Sequence, residues 1–278
     1  MLSRWPNASA APAWTPVRAG CRSIPRSALV SRYKTYYRPR AAPKPKFEDL
    51  CAQARKGSCN PDLLAKTEDV IRIAAEVGVD AAYLLALLMQ EASTFYDRTI
   101  IDSRAMWAAQ ANPWTTTVAL TVGGTFFLGG LGTLAGTEFY RRGLKKDWFG
   151  ERGASIGIAN VTKEVFNKQV SDNPDQLAGR SYEEMIYDDE LSITVLAVRL
   201  KGNVTKYNGM AEAGGTGLTA YDLAGMSHMH GEPKVGDALT KPEERHNLPG
   251  YANYAQDVRN NLPLAMYLVC TQTGGSNC

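Results

Sequence analysis

Apolar residues fill every position of 83–89, so this stretch of the chain has no polar face. Gly78 is the kind of residue that ends a helix, and Asp80 is the kind that caps the next one. The pattern therefore predicts a helix over residues 81–92 that is buried on all sides. Glu91 lies at the C-terminal end of this predicted helix.

Apolar residues spaced three and four positions apart predict further helices elsewhere in the chain. These cover residues 61–77, the segment around Val165 and Phe166, and residues 187–204, 218–231 and 250–269, the last with a kink or break at Pro263. The expected N-terminal caps are Asn60 for the first, Asn160 or Thr162 for the second, and Asp188 or Asp189 for the third. No stretch alternates apolar and polar residues in a sustained way, so the body is predicted to be mostly α-helical.

Residues 118–136 interrupt this helical pattern with 19 residues that carry no charge and include six glycines. The length suits a membrane span and basic residues follow directly, but the glycines make the segment only marginally hydrophobic. Three interpretations stay open: a buried helical hairpin or core insertion, a segment that enters a membrane, and a flexible glycine-rich loop. We expect an insertion over about residues 103–150.

Residues 1–46 differ in charge from the rest, because they hold ten Lys and Arg and no Asp or Glu. The whole chain of 278 residues has 31 basic and 28 acidic residues, so residues 47–278 have a net charge of −7. The body is therefore not an obvious nucleic-acid binder. We expect residues 1–46 to be a disordered basic leader or linker, or the cut end of a longer protein, and residues 47–278 to form the folded domain.

The five cysteines lie near the two ends of the chain, at Cys21, Cys51, Cys59, Cys270 and Cys278. This placement suits disulfides in an exported protein and indicates an extracellular or cell-envelope location, with unpaired thiols in a cytosolic protein as the alternative. No Cys-x-x-Cys pair occurs, so no metal site is predicted. The sequence has no phosphate-binding loop and no dinucleotide fingerprint, so no cofactor is expected.

Glu91 is in a position that packing alone does not explain. A carboxylate is unfavourable near the C-terminal end of a helix, where the dipole favours cations. Partial burial would raise the pKa of its carboxyl group, and an acid that stays protonated near neutral pH suits general acid catalysis. The alternative is a frayed helix end at which Glu91 points to water.

Four short motifs follow one another along the chain. They are QEAS at 90–93, ASIGIANVT at 154–162, YDDELSITVLAVRL at 187–200, and either KYNGM at 206–210 or MHG at 229–231. Their order resembles the lysozyme-like superfamily, and more narrowly the soluble lytic transglycosylases and goose-type lysozymes. The resemblance covers residues 60–262 at most and implies a lysozyme-like helical domain.

The resemblance implies a catalytic role for Glu91, because a glutamate of the family at this motif protonates the glycosidic oxygen. Most glycosidases also need a second carboxylate. Asp97 and Asp102 are the candidates here, with a surface position as the alternative for both. Lytic transglycosylases are an exception that the resemblance brings in: a hydroxyl group of the sugar attacks, and one glutamate suffices.

The same motifs supply candidate residues for holding the sugar. Gly157 matches the family's glycine, and Asn160 stands where glutamine is usual, which keeps an amide one methylene group shorter. Tyr207 and Asn208 match the tyrosine and the amide of the family's Tyr-Asn-Gly turn if KYNGM is the last motif, which we prefer on residue identity. Otherwise His230 takes the place of the amide. The candidate substrate-binding residues are therefore Ser155, Gly157, Asn160, Tyr207, Asn208 and His230.

The predicted function is cleavage of the glycan strands of peptidoglycan, by hydrolysis or by transglycosylation. Between Glu91 and Gly157 lie 65 residues, far more than the family's usual short connection, and we interpret the excess as the insertion. The alternative is a non-catalytic, membrane-associated interaction protein that uses residues 118–136 and the basic tail. In that case Glu91 has no catalytic role.

Overall fold

The structure is a computed structural model that describes residues 45–96, 118, 155–213 and 217–274, without the side chains of residues 93–96 and 211–213. Of the described residues, 78% are helical and 2% form strands, so the prediction of a mostly α-helical fold is confirmed. The predicted basic tail and glycine-rich insertion lie outside the described residues, apart from residues 45, 46 and 118.

The described part of the chain consists of helices and one short hairpin. The elements are α1 (Phe47–Gln53), α2 (Pro61–Leu64), α3 (Thr67–Val77), α4 (Ala81–Tyr96), β1 (Ser155–Ile156), β2 (Val161–Thr162), α5 (Lys163–Asp172), α6 (Pro174–Leu177), the 3₁₀ helix η1 (Tyr182–Ile186), α7 (Asp189–Ala213), α8 (Ala220–His230), α9 (Glu232–Thr240), the 3₁₀ helix η2 (Pro242–Asn247) and α10 (Leu248–Gln272). The two strands pair antiparallel, with Ser155 opposite Thr162 and Ile156 opposite Val161.

The described residues divide into two compact units. The first unit contains residues 45–55, 65–87, 200–213 and 217–274, and the second contains residues 56–64, 88–96, 118 and 155–199. Glu91 and the hairpin both belong to the second unit. The first unit holds α8, α9 and α10.

Helix α4 is the buried helix that the apolar run predicts, since every side chain of residues 81–92 is at most 6% exposed. Gly78 ends α3 with φ 84°, and the Asp80 carboxylate accepts a hydrogen bond from Tyr83 N at 2.8 Å, both as predicted. The helix continues about one turn beyond residue 92, so the expectation that Glu91 lies at its end is wrong. The helix dipole acts mainly on the last turn, so it has less influence on this carboxyl group than the sequence suggested.

Two other predicted helices differ in their extent. Residues 61–77 form two helices, α2 and α3, because the chain leaves the helical path after Leu64 and restarts at Thr67. Pro263 lies inside α10 and does not end it. Proline removes one backbone hydrogen bond, but the flanking Leu262 and Leu264 are buried in the core and keep the helix in place.

The predicted caps are resolved in favour of one residue in each pair. Thr162 caps α5, because its hydroxyl oxygen accepts a hydrogen bond from Val165 N at 3.4 Å. Asp188 caps α7, because its carboxylate accepts from Leu191 N at 2.9 Å. Asn160 therefore has no part in capping, and its side chain is available for another contact.

Buried polar contacts hold the first unit together. Asp222 is 1% exposed and forms a two-pronged ion pair with Arg259, in which Nε donates to Oδ1 at 2.8 Å and Nη2 donates to Oδ2. The Tyr83 hydroxyl donates to the Tyr221 carbonyl at 2.8 Å. A β-carbon on Gly225 would lie 2.8 Å from that hydroxyl, so glycine is what allows this close approach.

Cys51, Cys59 and Cys270 are disulfide-bonded, as the grouping of cysteines predicts. Cys21 and Cys278 lie outside the described residues. Within the described ranges, no helix is both long enough and apolar enough to cross a membrane. The extracellular or cell-envelope location stays a prediction.

Candidate active site

Glu91 is a buried acid of the second unit. Its exposed fraction is 6%, so the alternative in which it points to water is wrong. The side-chain amide of Asn160 donates a hydrogen bond from Nδ2 to Glu91 Oε2 over 2.9 Å. These residues are 69 positions apart in the chain, so the fold brings two of the predicted site residues into direct contact.

This contact distinguishes the two oxygens of the Glu91 carboxyl group. An amide N–H group can only donate, so Oε2 is the acceptor. The carbonyl oxygen of a protonated carboxyl group is the better acceptor, so this hydrogen bond favours the proton on Oε1. Burial disfavours the ionised form of a carboxyl group, whereas a donated hydrogen bond favours it. A buried carboxyl group with one oxygen held by a neutral donor is compatible with general acid chemistry.

Asn160 reaches Glu91 from a turn with an unusual backbone. Its φ is 52°, and no other non-glycine residue among the described residues has a positive φ. Gly157 begins the same turn with φ 72°, and Asn160 N donates to the Gly157 carbonyl at 3.0 Å. Asparagine tolerates this left-handed region better than most residues. The turn therefore aims the Asn160 side chain at the cost of some backbone strain.

Ser192 and Met185 pack directly against this turn at Gly157. A β-carbon on Gly157 would lie 2.3 Å from Ser192 Oγ and 2.9 Å from the Met185 carbonyl oxygen, both closer than real contacts of this kind. Ser192 is fully buried, and its hydroxyl donates to the same Met185 carbonyl at 3.2 Å. Gly157, predicted to bind substrate, is thus the residue through which the turn packs closely against α7 and η1.

A second contact fixes the hairpin from the side of Tyr182. Its hydroxyl donates to the Val161 carbonyl at 3.1 Å, and its ring meets Phe166 edge to face at a centroid distance of 5.9 Å. Burial raises the pKa of the Tyr182 hydroxyl, so it stays a neutral donor across the physiological range. Ser155, also a predicted substrate-binding residue, is half-buried in the hairpin and pairs with Thr162.

Tyr207 and Asn208 do not lie in a turn, so the reading of KYNGM as a turn motif is wrong. Helix α7 runs through them to Ala213. Tyr207 is fully buried, its hydroxyl donates to the Glu232 carbonyl at 3.2 Å, and it accepts from Ser227 Oγ at 2.7 Å. Asn208 is exposed on the helix surface. The fixed packing of Tyr207 outweighs the turn preference of Asn-Gly and keeps the helix continuous.

His230 occupies the last position of α8 in the first unit, and Gly231 caps the helix with φ 90°. Its ring stacks on Tyr251 at a centroid distance of 4.4 Å. Its Nε2 atom is buried and has no hydrogen-bond partner among the described residues. Burial, and to a lesser extent the charge of Lys234, lowers the pKa of His230. These contacts show a histidine packed against an aromatic ring, and its role in holding the sugar stays a prediction.

Asp97 and Asp102 lie outside the described residues, so their roles as second carboxylates stay predictions. In the part of the chain that the structure describes, no cluster of His, Cys, Asp and Glu is arranged to hold a metal ion. Sequence reasoning missed Ser192, Met185 and Tyr182 as supports of the turn. Their signal would have been the glycine at 157, which implies a close neighbour without revealing which one.

Comparisons of this chain with known protein families, curated proteins and solved structures give no match. The candidate site is therefore defined by its own geometry, in which Glu91, Asn160 and Gly157 belong to one unit.

Proposed function

We propose that this protein cleaves glycosidic bonds in the glycan strands of peptidoglycan, with Glu91 as the general acid. The observation that carries the proposal is the contact between the buried Glu91 carboxyl group and the Asn160 amide. It joins two residues that the motif order assigned to one site, although they lie far apart in the chain. The mostly helical fold is consistent with the lysozyme-like resemblance.

The proposed reaction begins with transfer of the proton from Glu91 Oε1 to the oxygen of the glycosidic bond. The bond between that oxygen and the sugar carbon then breaks, and positive charge develops on the sugar ring. In transglycosylation a hydroxyl group of the same sugar attacks this carbon and returns its proton to the Glu91 carboxylate. In hydrolysis water attacks instead, and Asp97 or Asp102 is the proposed base.

The Asn160 amide has the role of a positioning group in this mechanism. It holds Oε2, so the proton-bearing oxygen faces in one direction during protonation and again when the proton returns. A neutral donor suits both steps, since it stabilises the carboxylate less than a cation would and leaves it able to take up a proton.

The test compares clearing of purified peptidoglycan suspensions by the wild type, Glu91→Gln and Glu164→Gln. Glu164 is an exposed glutamate of α5 in the same unit and serves as the matched control. We expect Glu91→Gln to lower the rate by roughly 100-fold or more, with Glu164→Gln at the wild-type rate. Circular dichroism checks that helicity is equal, and mass spectrometry of the products for anhydro-muramic ends distinguishes transglycosylation from hydrolysis.

Two results contradict the proposal. One is a Glu91→Gln variant that clears peptidoglycan at the wild-type rate. The other is a well-folded wild type that clears none of several wall chemistries. The membrane-associated alternative would then be the hypothesis to pursue, although residues 118–136, except residue 118, lie outside the described part of the chain.

A further inference from the structure

Ser192 carries no role in the motifs that assigned the site, yet it lies directly beneath the turn that holds Asn160. It is fully buried in the first turn of α7, and its hydroxyl donates to the Met185 carbonyl of η1 at 3.2 Å. The position where Gly157 would carry a β-carbon is only 2.3 Å from Ser192 Oγ. Gly157 and Ser192 are therefore in close contact, with no room for another atom between them.

We propose that Ser192 is a positioning residue for the Glu91 carboxyl group, acting through the 157–160 turn and the Asn160 amide. The inference rests on the proposed function, because it explains how the proposed general acid is held. Ser192 itself has no described contact with Glu91. Its effect passes through Gly157, then through the backbone to Asn160, and finally through the 2.9 Å hydrogen bond to Oε2.

The backbone of the turn explains why a buried support is required here. Both ends of the turn have positive φ, 72° at Gly157 and 52° at Asn160. A strained conformation persists only when its surroundings hold it in place. The Ser192 hydroxyl and the Met185 carbonyl lie directly against Gly157, and the hydrogen bond between them fixes their positions. A shift of either group would move the turn, and with it the Asn160 amide relative to Glu91.

The experiment is a double-mutant cycle built on this contact. Gly157→Ala introduces a methyl group only 2.3 Å from Ser192 Oγ. Ser192→Ala removes that oxygen, so the double variant has more space for the new methyl group, although the Met185 carbonyl stays at 2.9 Å. Gly179→Ala is the matched control, because Gly179 has φ 79° but nothing within 4 Å of its added β-carbon.

Two quantities are measured for each variant: kcat and KM on soluble glycan fragments, and the NMR signals of the Asn160 side-chain amide. We expect Gly157→Ala to lower kcat by roughly 10- to 100-fold, with little change in KM, because displacement of a positioned group acts on the chemical step. The Asn160 amide signals should shift. Adding Ser192→Ala should restore roughly a tenfold part of kcat and move the signals back, since contacting residues are coupled.

Gly179→Ala should leave kcat and the Asn160 signals unchanged and reduce only thermal stability. The proposal is overturned if the double variant is as impaired as Gly157→Ala alone. It is also overturned if Gly179→Ala lowers kcat as much as Gly157→Ala does, because strain at positive φ would then be the whole explanation.

Ser192→Thr keeps the experiment decisive if Gly157→Ala does not fold. It retains the hydroxyl group and adds one methyl group beneath the turn, so the Asn160 amide signals should shift in a folded protein. Unshifted signals would count against the proposal. If the wild type cleaves no glycan, the proposed function fails, but the NMR arm still tests the positioning, because the Asn160 signals must also respond to Glu91→Gln.

Discussion

The turn at Asn160 and the buried hydroxyl of Tyr207 place polar groups inside the protein in two different ways. In the second unit, Asn160 adopts a strained backbone, and its amide is directed at the titratable group of Glu91. In the first unit, Tyr207 lies in a regular helix, and its hydroxyl forms hydrogen bonds with two neutral groups, the Ser227 hydroxyl and the Glu232 carbonyl. Strain directed at an acid suggests function, whereas relaxed and satisfied bonds suggest stability.

This difference leads to opposite expectations for the two regions. Removal of the Asn160 side chain should affect activity more than stability, because the backbone there has a positive φ that does not depend on the amide. Changes around Tyr207 should affect stability more than activity per folded molecule, because a buried side chain contributes mainly through packing. A turn variant that loses mainly stability, or a folded Tyr207 variant that loses activity, would show that the two regions are not functionally separate.

The largest expected effect is on stability at Tyr207. Tyr207→Ala removes a fully buried aromatic side chain and should lower the free energy of unfolding by roughly 3–5 kcal/mol. Tyr207→Phe should lower it by about 1–2 kcal/mol, because it removes the two hydrogen bonds of the hydroxyl with Ser227 and Glu232. Urea denaturation measures both values. Loss of activity in Tyr207→Phe at full folding would give this residue the substrate role that the sequence suggested.

The second effect is on activity at Asn160. Asn160→Gly removes the amide but suits the positive φ, so stability should change by less than about 1 kcal/mol. Activity should fall by roughly 10- to 100-fold, because Glu91 loses the group that positions it. Peptidoglycan clearing and thermal denaturation are compared on the same preparation. Unchanged clearing would mean that the hydrogen bond to Glu91 has no catalytic importance.

Local patterns predicted the helices well and the contacts between them poorly. The buried helix α4 could be predicted because an unbroken apolar run has one stable environment. The turn reading of Tyr207 failed because Asn208 and Gly209 favour turns locally, while the buried tyrosine holds the helix across them. Ser192 could not be predicted at all, since a serine near a helix start is ordinary until Gly157 is seen against it.

Two threonine caps give a matched comparison of the regions with a smaller effect. Thr162 caps α5 at the end of the hairpin, and Thr219 caps α8 through a reciprocal pair of bonds with Asp222. Replacing either threonine by alanine should lower the free energy of unfolding by about 1 kcal/mol, with the larger loss for Thr219. Only Thr162→Ala should also lower kcat, because the Thr162 cap fixes the end of the hairpin two residues from Asn160. Equal kcat values for both variants would show that loss of the Thr162 cap does not disturb the hairpin.

The smallest effect is the pH dependence that His230 adds to stability. Burial, followed by the charge of Lys234, lowers the pKa of His230 in the folded state, so the unfolded chain binds a proton more readily. The contribution to stability is therefore present above about pH 6.5, the ordinary value for histidine, and is lost as the pH falls below it.

His230→Phe retains a ring against Tyr251 and removes the titration. The urea midpoint of the wild type should drop more than that of the variant between about pH 7.5 and pH 5.5, while His228 and His246 remain in both proteins. Equal drops would mean that the stacked ring takes up its proton without disturbing the first unit.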